Sequence, residues 1–450
     1  MTHPEIAFNS VTTTVKRAAA FAVLGSASLA APIIGPPGAI APFVLMAGYA
    51  LLADRTVPGF TLLARPGDYE GDTLYGLAGF ALAAAALGLL TLFGLPVDVF
   101  AATVCLLVFG NLGEQLAAQY SDGEFGQTAG FLAGGFIVGM LAWALSRWLL
   151  VAEIAGVPSI GFLAAAGAIT AALLRSMLFK RDDPVVLLSV GLLLWVFVEL
   201  GVQTTGTVVL LALAVTGALG YASHALDTAS IPGLLTGMLL ILLTMVLAGF
   251  GWFAVLIAFF GIGGLATKFR YEEKKRRGVA EGNEGARGTG NVLSNSAVAL
   301  VAIIGYTASP DPLSLPSELF LFAFAASLAT ALGDTLSSEI GCVFDRPRLI
   351  TTLEGVEPGT NGGVTWQGTL AGVVGSALIG LISLLAFETI WLGGLGVIVA
   401  AGILGMFIDS LLGATLEGAA FGNQAVNFLA TLAGAAIGVW AAIAFGFVAF

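Results

Sequence analysis

Between residues 333 and 375 the chain reads GDTLSSEIGCVFDRPRLITTLEGVEPGTNGGVTWQGTLAGVVG, a cluster of carboxylates, arginines, hydroxyls and glycines set in otherwise apolar sequence. Asp334 and Ser338, four apart, share one helical face, whereas Glu339 lies about 140° round from Asp334 on a regular helix. A metal held by both carboxylates therefore needs the helix to end or bend, which Gly341 permits. Further on, Arg348 and the hydroxyls of Thr351 and Thr352 can donate to a phosphate. In the turn Gly359-Thr360-Asn361-Gly362-Gly363, glycines admit an anion close to successive backbone N–H groups. This is no Walker A loop, because GxxxxGK[ST] does not occur. A second cluster, IDSLLGATLEGAAFGNQAVNF at 408–428, carries Asp409, Ser410, Glu417, Asn423 and Asn427. Asp409 and Asp334 both sit near the ends of apolar runs, so they can face one another across a cleft and hold Mg²⁺, with Glu339 as a further ligand; hard oxygen donors suit that ion. Asn423 and Asn427 repeat the spacing of Asn291 and Asn295, which follow Arg287 at the end of the polar loop 268–295. Amides four apart at a helix start present donors and acceptors on one face. A divalent cation, a phosphate-binding surface and access to lipid are the parts of phosphoryl or nucleotidyl transfer to a membrane-soluble substrate, chemistry that rests on positioning and charge stabilisation.

The elements that must position these groups are membrane helices. Hydrophobic residues make up 58% of the 450 positions, mean hydropathy is +0.98, and charged residues are 10%, against about 25% in a soluble protein. The apolar runs do not alternate, which excludes a β-barrel. Their lengths predict an all-α polytopic transmembrane bundle of about fifteen helices. The first run lacks a cleavage site that stands out and is expected to stay as an anchor. Placing the N-terminus in the cytoplasm puts sixteen of the seventeen basic residues inside, with Arg147 alone outside, as the positive-inside rule demands. All the polar clusters then meet at the cytoplasmic face of an integral protein of the cell membrane. Cys105 and Cys342 give no disulfide framework, and His3 and His224 are solitary, so a soft metal site is not expected. The polar break KRDDP at 180–184 divides a six-span region of unstated role, residues 1–181, from a nine-span catalytic region, residues 182–450. Within the first, GNLGEQLAAQYSDGEFGQTAGFLAGG (110–135) echoes GDTLSSEIG and TWQGTLAGVVG, with Asn111 in the place of Asp334.

The segments GARGTGNVLSNS, LGDTLSSEIG, RPRLITTLEGVEPGTNGGVTWQGTLAG, IDSLLGATLE and NQAVNF resemble, in order over residues 185–450, the membrane family known as domain of unknown function 92. That family includes plant phytyl-phosphate kinase and transmembrane protein 19. The resemblance implies an isoprenoid phosphate kinase that converts a phytyl or geranylgeranyl-type monophosphate to the diphosphate with a nucleoside triphosphate. More distant similarity to dolichol kinases and phosphatidate cytidylyltransferases suggests CTP. By the same resemblance Asp334 and Asp409 would hold metal, Arg348 and the 359–363 turn would hold phosphates, and Asn291, Asn295, Asn423 and Asn427 would line the cleft. Membrane lipids are expected partners and nucleic acid is not. The alternatives are a CTP-dependent lipid cytidylyltransferase, distinguished by product phosphate count, and a transporter, since intramembrane polar groups and broken helices also mark substrate paths.

Overall fold

The computed structural model describes residues 4–152, 156–178, 183–280, 288–309, 311–418 and 421–449, with side chains from residue 13 onward. It is all-α apart from one two-stranded ribbon. The main helices are α1 (Thr13–Ile34), α2 (Pro36–Leu52), α3 (Tyr75–Phe93), α4 (Val97–Ala117), α5 (Glu124–Val151), α6 (Val157–Met177), α7 (Asp183–Glu199) and α8 (Gly206–Ala225). They are followed by α9 (Ile231–Ala248), α10 (Phe250–Thr267), α11 (Thr289–Thr307), α12 (Ser317–Gly341), α13 (Trp366–Ala386), α14 (Leu392–Thr415) and α15 (Asn423–Ala444). Among the described residues thirteen helices are long and apolar enough to cross a membrane, while α2 and α7 are 17 residues each. Each of the fifteen apolar runs has become a helix, as their length and composition require.

The chain divides into two compact units, Met1–Ala214 and Val215–Phe450, with the division inside α8. It does not fall at the KRDDP break, because α7 packs on α3, α4 and α6 of the first unit and is also tied to it by charge. Asp183 accepts from Arg65 at 2.5 Å and from Arg175 at 2.7 Å, so the polar residue that opens α7 ties this helix into the first unit. In that unit α4 is the central helix, two-thirds buried along its apolar window, and packs against α1, α5, α6 and α7. Arg147 is half-exposed and pairs with Asp98 at 2.6 Å. In the second unit α12 is central, with 72% of its window buried, and α10, α11, α13, α14 and α15 surround it.

The hairpins α4–α5 and α12–α13 cross through matching small-residue contacts. A Cβ on Gly134 would lie 2.5 Å from the Phe109 carbonyl, and one on Gly372 would lie 2.7 Å from the Gly333 carbonyl. One turn away, a Cβ on Gly130 would meet the Gly113 carbonyl at 2.5 Å, and one on Gly368 the Ser337 carbonyl at 2.6 Å. Without a hydrophobic force between helices in lipid, such close backbone approach is what holds a hairpin together. The matched contacts make Phe109 equivalent to Gly333 and Gly113 to Ser337, so Gly110, rather than Asn111, is the counterpart of Asp334. The echo in the sequence is therefore a shared crossing geometry, in a register one residue away from the aligned letters.

Candidate active site

A polar cavity of about 280 Å³ opens in the second unit where α12 and α14 end and α11 and α15 begin. Asp334, in the penultimate turn of α12, and Asp409, near the end of α14, bring their carboxyl groups next to one another, with Ser338 beside Asp334. Both residues are half-buried. Asp409 Oδ1 has lost contact with solvent and, among the described residues, has no hydrogen-bond partner. Two carboxyl groups this close repel one another unless a cation or a shared proton lies between them. Small residues create the approach: a Cβ on Gly402 would lie 2.7 Å from Ala329 Cβ, and one on Gly405 would collide with the Thr330 side chain.

The 342–365 segment roofs this pair. Its strands β1 (Arg348–Leu349) and β2 (Gly363–Val364) pair antiparallel, and Ile350 N donates to Gly362 O at 3.0 Å. Gly359 and Gly362 adopt φ of +87° and +72°, which favour glycine. A Cβ on Gly362 would lie 2.7 Å from the Ser410 carbonyl. The turn is thus seated on α14 beside Asp409, and Gly359, Thr360, Asn361, Gly362 and Gly363 all line the cavity. Three expected donors do not reach it. Arg348 is exposed and its Nη1 donates to the Leu353 carbonyl at 2.7 Å, so its charge closes its own loop. Thr351 and Thr352 are also exposed and absent from the lining, Thr352 Oγ1 accepting from Glu354 N instead.

Opposite the turn, Asn295 Nδ2 donates to the backbone carbonyl of Asn291 at 2.9 Å and to its Oδ1 at 3.1 Å, so this amide pair is joined as well as co-facial. Asn423 and Asn427 line the same cavity from α15. Neither α11 nor α15 has a side-chain N-cap. Their first N–H groups, which no intrahelical carbonyl satisfies, begin at the cavity and carry the positive end of the helix dipole. Arg287 lies outside the described residues. Among those described, no lysine or arginine lines the cavity.

Glu339 borders the cavity but is not available as expected, because it forms an ion pair with Lys274. Lys274 belongs to the short basic helix Tyr271–Arg277; it is buried and also donates to the carbonyls of Ala266 (3.2 Å) and Thr267 (2.8 Å) at the end of α10. Among the described residues no cluster of three metal-ligating side chains occurs. The groups able to hold a cation are the two aspartates, with neighbouring hydroxyl and amide oxygens. Thr335, Ser337, Ser410 and Glu417 also line the cavity; the first two escaped notice because a hydroxyl beside a carboxylate carries no spacing signal of its own. Burial raises the pKa of Glu417 and also that of the cavity-lining thiol of Cys342.

The first unit has a mostly apolar cavity of about 390 Å³, with charged residues in its wall, at the ends of α4 and α6 and the start of α7. There the acids are already neutralised: Arg175 binds Glu114 at 2.9 Å and Asp183 at 2.7 Å, and Arg65 binds Asp183. The contrast with the aspartate pair in the second unit is one of charge rather than of scaffold.

Comparison with known proteins gives the lineage. Residues 214–435 match the model for "Integral membrane protein DUF92". An uncharacterized membrane protein of Methanocaldococcus jannaschii is 39% identical over 197 residues, covering 42% of this chain and 76% of the relative. Protein PGR of Arabidopsis thaliana is 34% identical over 230 residues, 47% of this chain and 79% of the relative. Chloroplastic protein VTE6 of the same plant is 36% identical over 148 residues, 33% of this chain and 44% of the relative. No solved structure matches the chain. With its matched region holding the whole aspartate cavity, the chain belongs to the DUF92 family of integral membrane proteins.

Proposed function

We propose that the second unit is a cation-dependent isoprenoid phosphate kinase, transferring the terminal phosphoryl group of a nucleoside triphosphate to a polyprenyl monophosphate. The observation that carries this reading is the Asp334–Asp409 pair, with its orphaned Asp409 Oδ1, beside a glycine turn and two uncapped helix N-termini. The residues fit a hard divalent ion such as Mg²⁺: two carboxylates plus hydroxyl and amide oxygens. When bound, such an ion would neutralise developing charge on the phosphates. Asp334 and Asp409 would hold it, and Ser338 would orient Asp334. The N–H groups of the 359–363 turn and the first turns of α11 and α15 would take the phosphate oxygens, a task suited to helix N-termini and glycine nests. Asn291, Asn295, Asn423 and Asn427 would line the path of the acceptor. An oxygen of the prenyl monophosphate attacks the γ-phosphorus, the bond to the β–γ bridging oxygen breaks, and a nucleoside diphosphate leaves with that electron pair.

The kinase reading is also supported by resemblance to a family that includes a plant phytyl-phosphate kinase. CTP is the first donor to test, and the distribution of basic residues supports a cytoplasmic location for the site. Purified protein is incubated with geranylgeranyl monophosphate, Mg²⁺ and each of CTP, ATP, GTP and UTP, and the lipids are resolved by mass spectrometry. A diphosphate product is expected. A nucleotide-linked lipid would replace the kinase by a cytidylyltransferase-type enzyme, and no product with any donor would overturn both.

A further inference from the structure

Outside the polar cavity, α12 and α13 leave a hollow of about 350 Å³ between them, lined by Leu336, Ile340, Phe344, Leu370, Ala371 and Val374; Gln367 also belongs to its wall, but the surface it presents is apolar. Phe344 lines both spaces, with one side on the hollow and one on the aspartate cavity. The hollow is open: Leu370 and Val374 are 55% and 48% exposed, while Leu336 forms its buried floor. Trp366, 72% exposed, stands at its rim, and an exposed tryptophan at a helix start suits the membrane–water interface. The floor exists because Gly368, Gly372 and Gly375 draw α13 onto α12: a Cβ on Gly375 would lie 3.0 Å from the Leu332 carbonyl.

We infer that this hollow seats the isoprene units nearest the phosphate of the lipid acceptor, which enters sideways from the bilayer past Phe344. The inference rests on the kinase reading of the adjoining cavity. A prenyl phosphate needs a polar pocket for its head joined directly to an apolar slot for its first carbons, and Phe344 is where the two spaces meet. From Leu370 to Val374 the slot runs one helical turn, about 6 Å, enough for one or two isoprene units and not for a whole chain. Lipid tails are as apolar as the slot, so it adds little by hydrophobic transfer. Its contribution is alignment of the head, and shape selection against straight acyl chains, which lack methyl branches.

The test uses the full-length protein and a prenyl monophosphate carrying a photoreactive diazirine on its second isoprene unit. Labelled peptides are mapped by mass spectrometry, with and without excess geranylgeranyl monophosphate. Turnover of unlabelled geranylgeranyl monophosphate is measured in parallel. We expect competable labelling at Leu370, Ala371 or Val374. Ala371→Trp, which fills the slot, should lower that labelling and kcat/KM for geranylgeranyl monophosphate at least tenfold. Leu381→Trp, on the same helix beyond the slot, should change neither. If the wild-type enzyme turns over substrate but labels elsewhere, or Ala371→Trp keeps full kcat/KM, the slot is refuted and the kinase reading survives. If there is no turnover with any donor, the kinase reading fails; labelling that is then not competable refutes the slot as well, whereas competable labelling there retains it as an isoprenoid site.

Discussion

Asp409→Asn should make the protein more stable and inactive at once. The substitution keeps the shape of the side chain and removes one of two adjacent carboxyl groups. Insertion scales place an intramembrane carboxylate at roughly 2.5–3.5 kcal/mol; Asp409 is half-buried and opens on a cavity, so about a third to two-thirds of that, roughly 1–2 kcal/mol, is recovered. For a unit spanning Val215–Phe450, and on the globular scale, this corresponds to a rise in Tm of about 2–8 °C. The assay is thermal unfolding in detergent, with EDTA and with Mg²⁺, beside the kinase assay. Wild-type protein should gain stability on adding Mg²⁺, whereas Asp409→Asn should start higher and gain little. Its turnover should fall by at least about 10²-fold, the scale on which removing one preorganised electrostatic contact acts. A variant that melts lower in EDTA and keeps turnover would make Asp409 a structural hydrogen-bonding residue and refute the cation site.

Other outcomes follow from the surrounding residues. Lys274→Met should cost about 3–5 kcal/mol of stability, because it strands Glu339 and uncaps α10; adding Glu339→Gln should restore much of it, and Lys275→Met should do little, all read by thermal melts. Burial raises the Glu417 pKa, so the folded state keeps its proton to higher pH than the unfolded chain. Stability should therefore increase as pH falls through the window just above the ordinary glutamate value, and Glu417→Gln should flatten that increase in a Tm series against pH. Burial likewise raises the Cys342 pKa, so alkylation at neutral pH should be slower than for a free thiol and should slow further with nucleotide and Mg²⁺; rapid alkylation unaffected by ligand would remove Cys342 from the cavity wall. Cysteines replacing Arg276 and Arg346 should react with an impermeant maleimide only from the cytoplasmic side, and labelling from outside would reverse the topology.

Apolar length made the helices legible, since a run of about twenty apolar residues has few alternatives. The nearness of Asp334 and Asp409 was legible too, because a carboxylate near the end of a membrane helix needs a partner or a cavity. What sequence could not reveal was which polar groups are already occupied. Arg348 beside a glycine turn reads as a phosphate donor until the Leu353 carbonyl takes its guanidinium. Glu339 reads as a metal ligand until Lys274, 65 positions away, claims it. Asp183 reads as part of a linker, yet it fastens α7 to two arginines. Each of these depends on a specific pairing, local for Arg348 and distant for Glu339 and for Asp183 with Arg65, that leaves no periodic trace.

The arginine locks of the first unit also bear on how the chain is made. Every partner in them, Arg65, Glu114, Arg175 and Asp183, has been synthesised by the time α7 starts to emerge. As that helix leaves the translocon, the first unit can cancel its buried charge with residues already in the bilayer. Asp334 has no such option: Asp409, which faces it across the proposed cation site, comes 75 residues later and adds like charge rather than cancelling it. During insertion Asp334 has to wait, near the lipid headgroups, for α14 to complete that site. Ribosome-stalled chains ending just after α7 should accordingly hold a settled first unit, while chains ending between α12 and α14 should be the ones that recruit insertion chaperones.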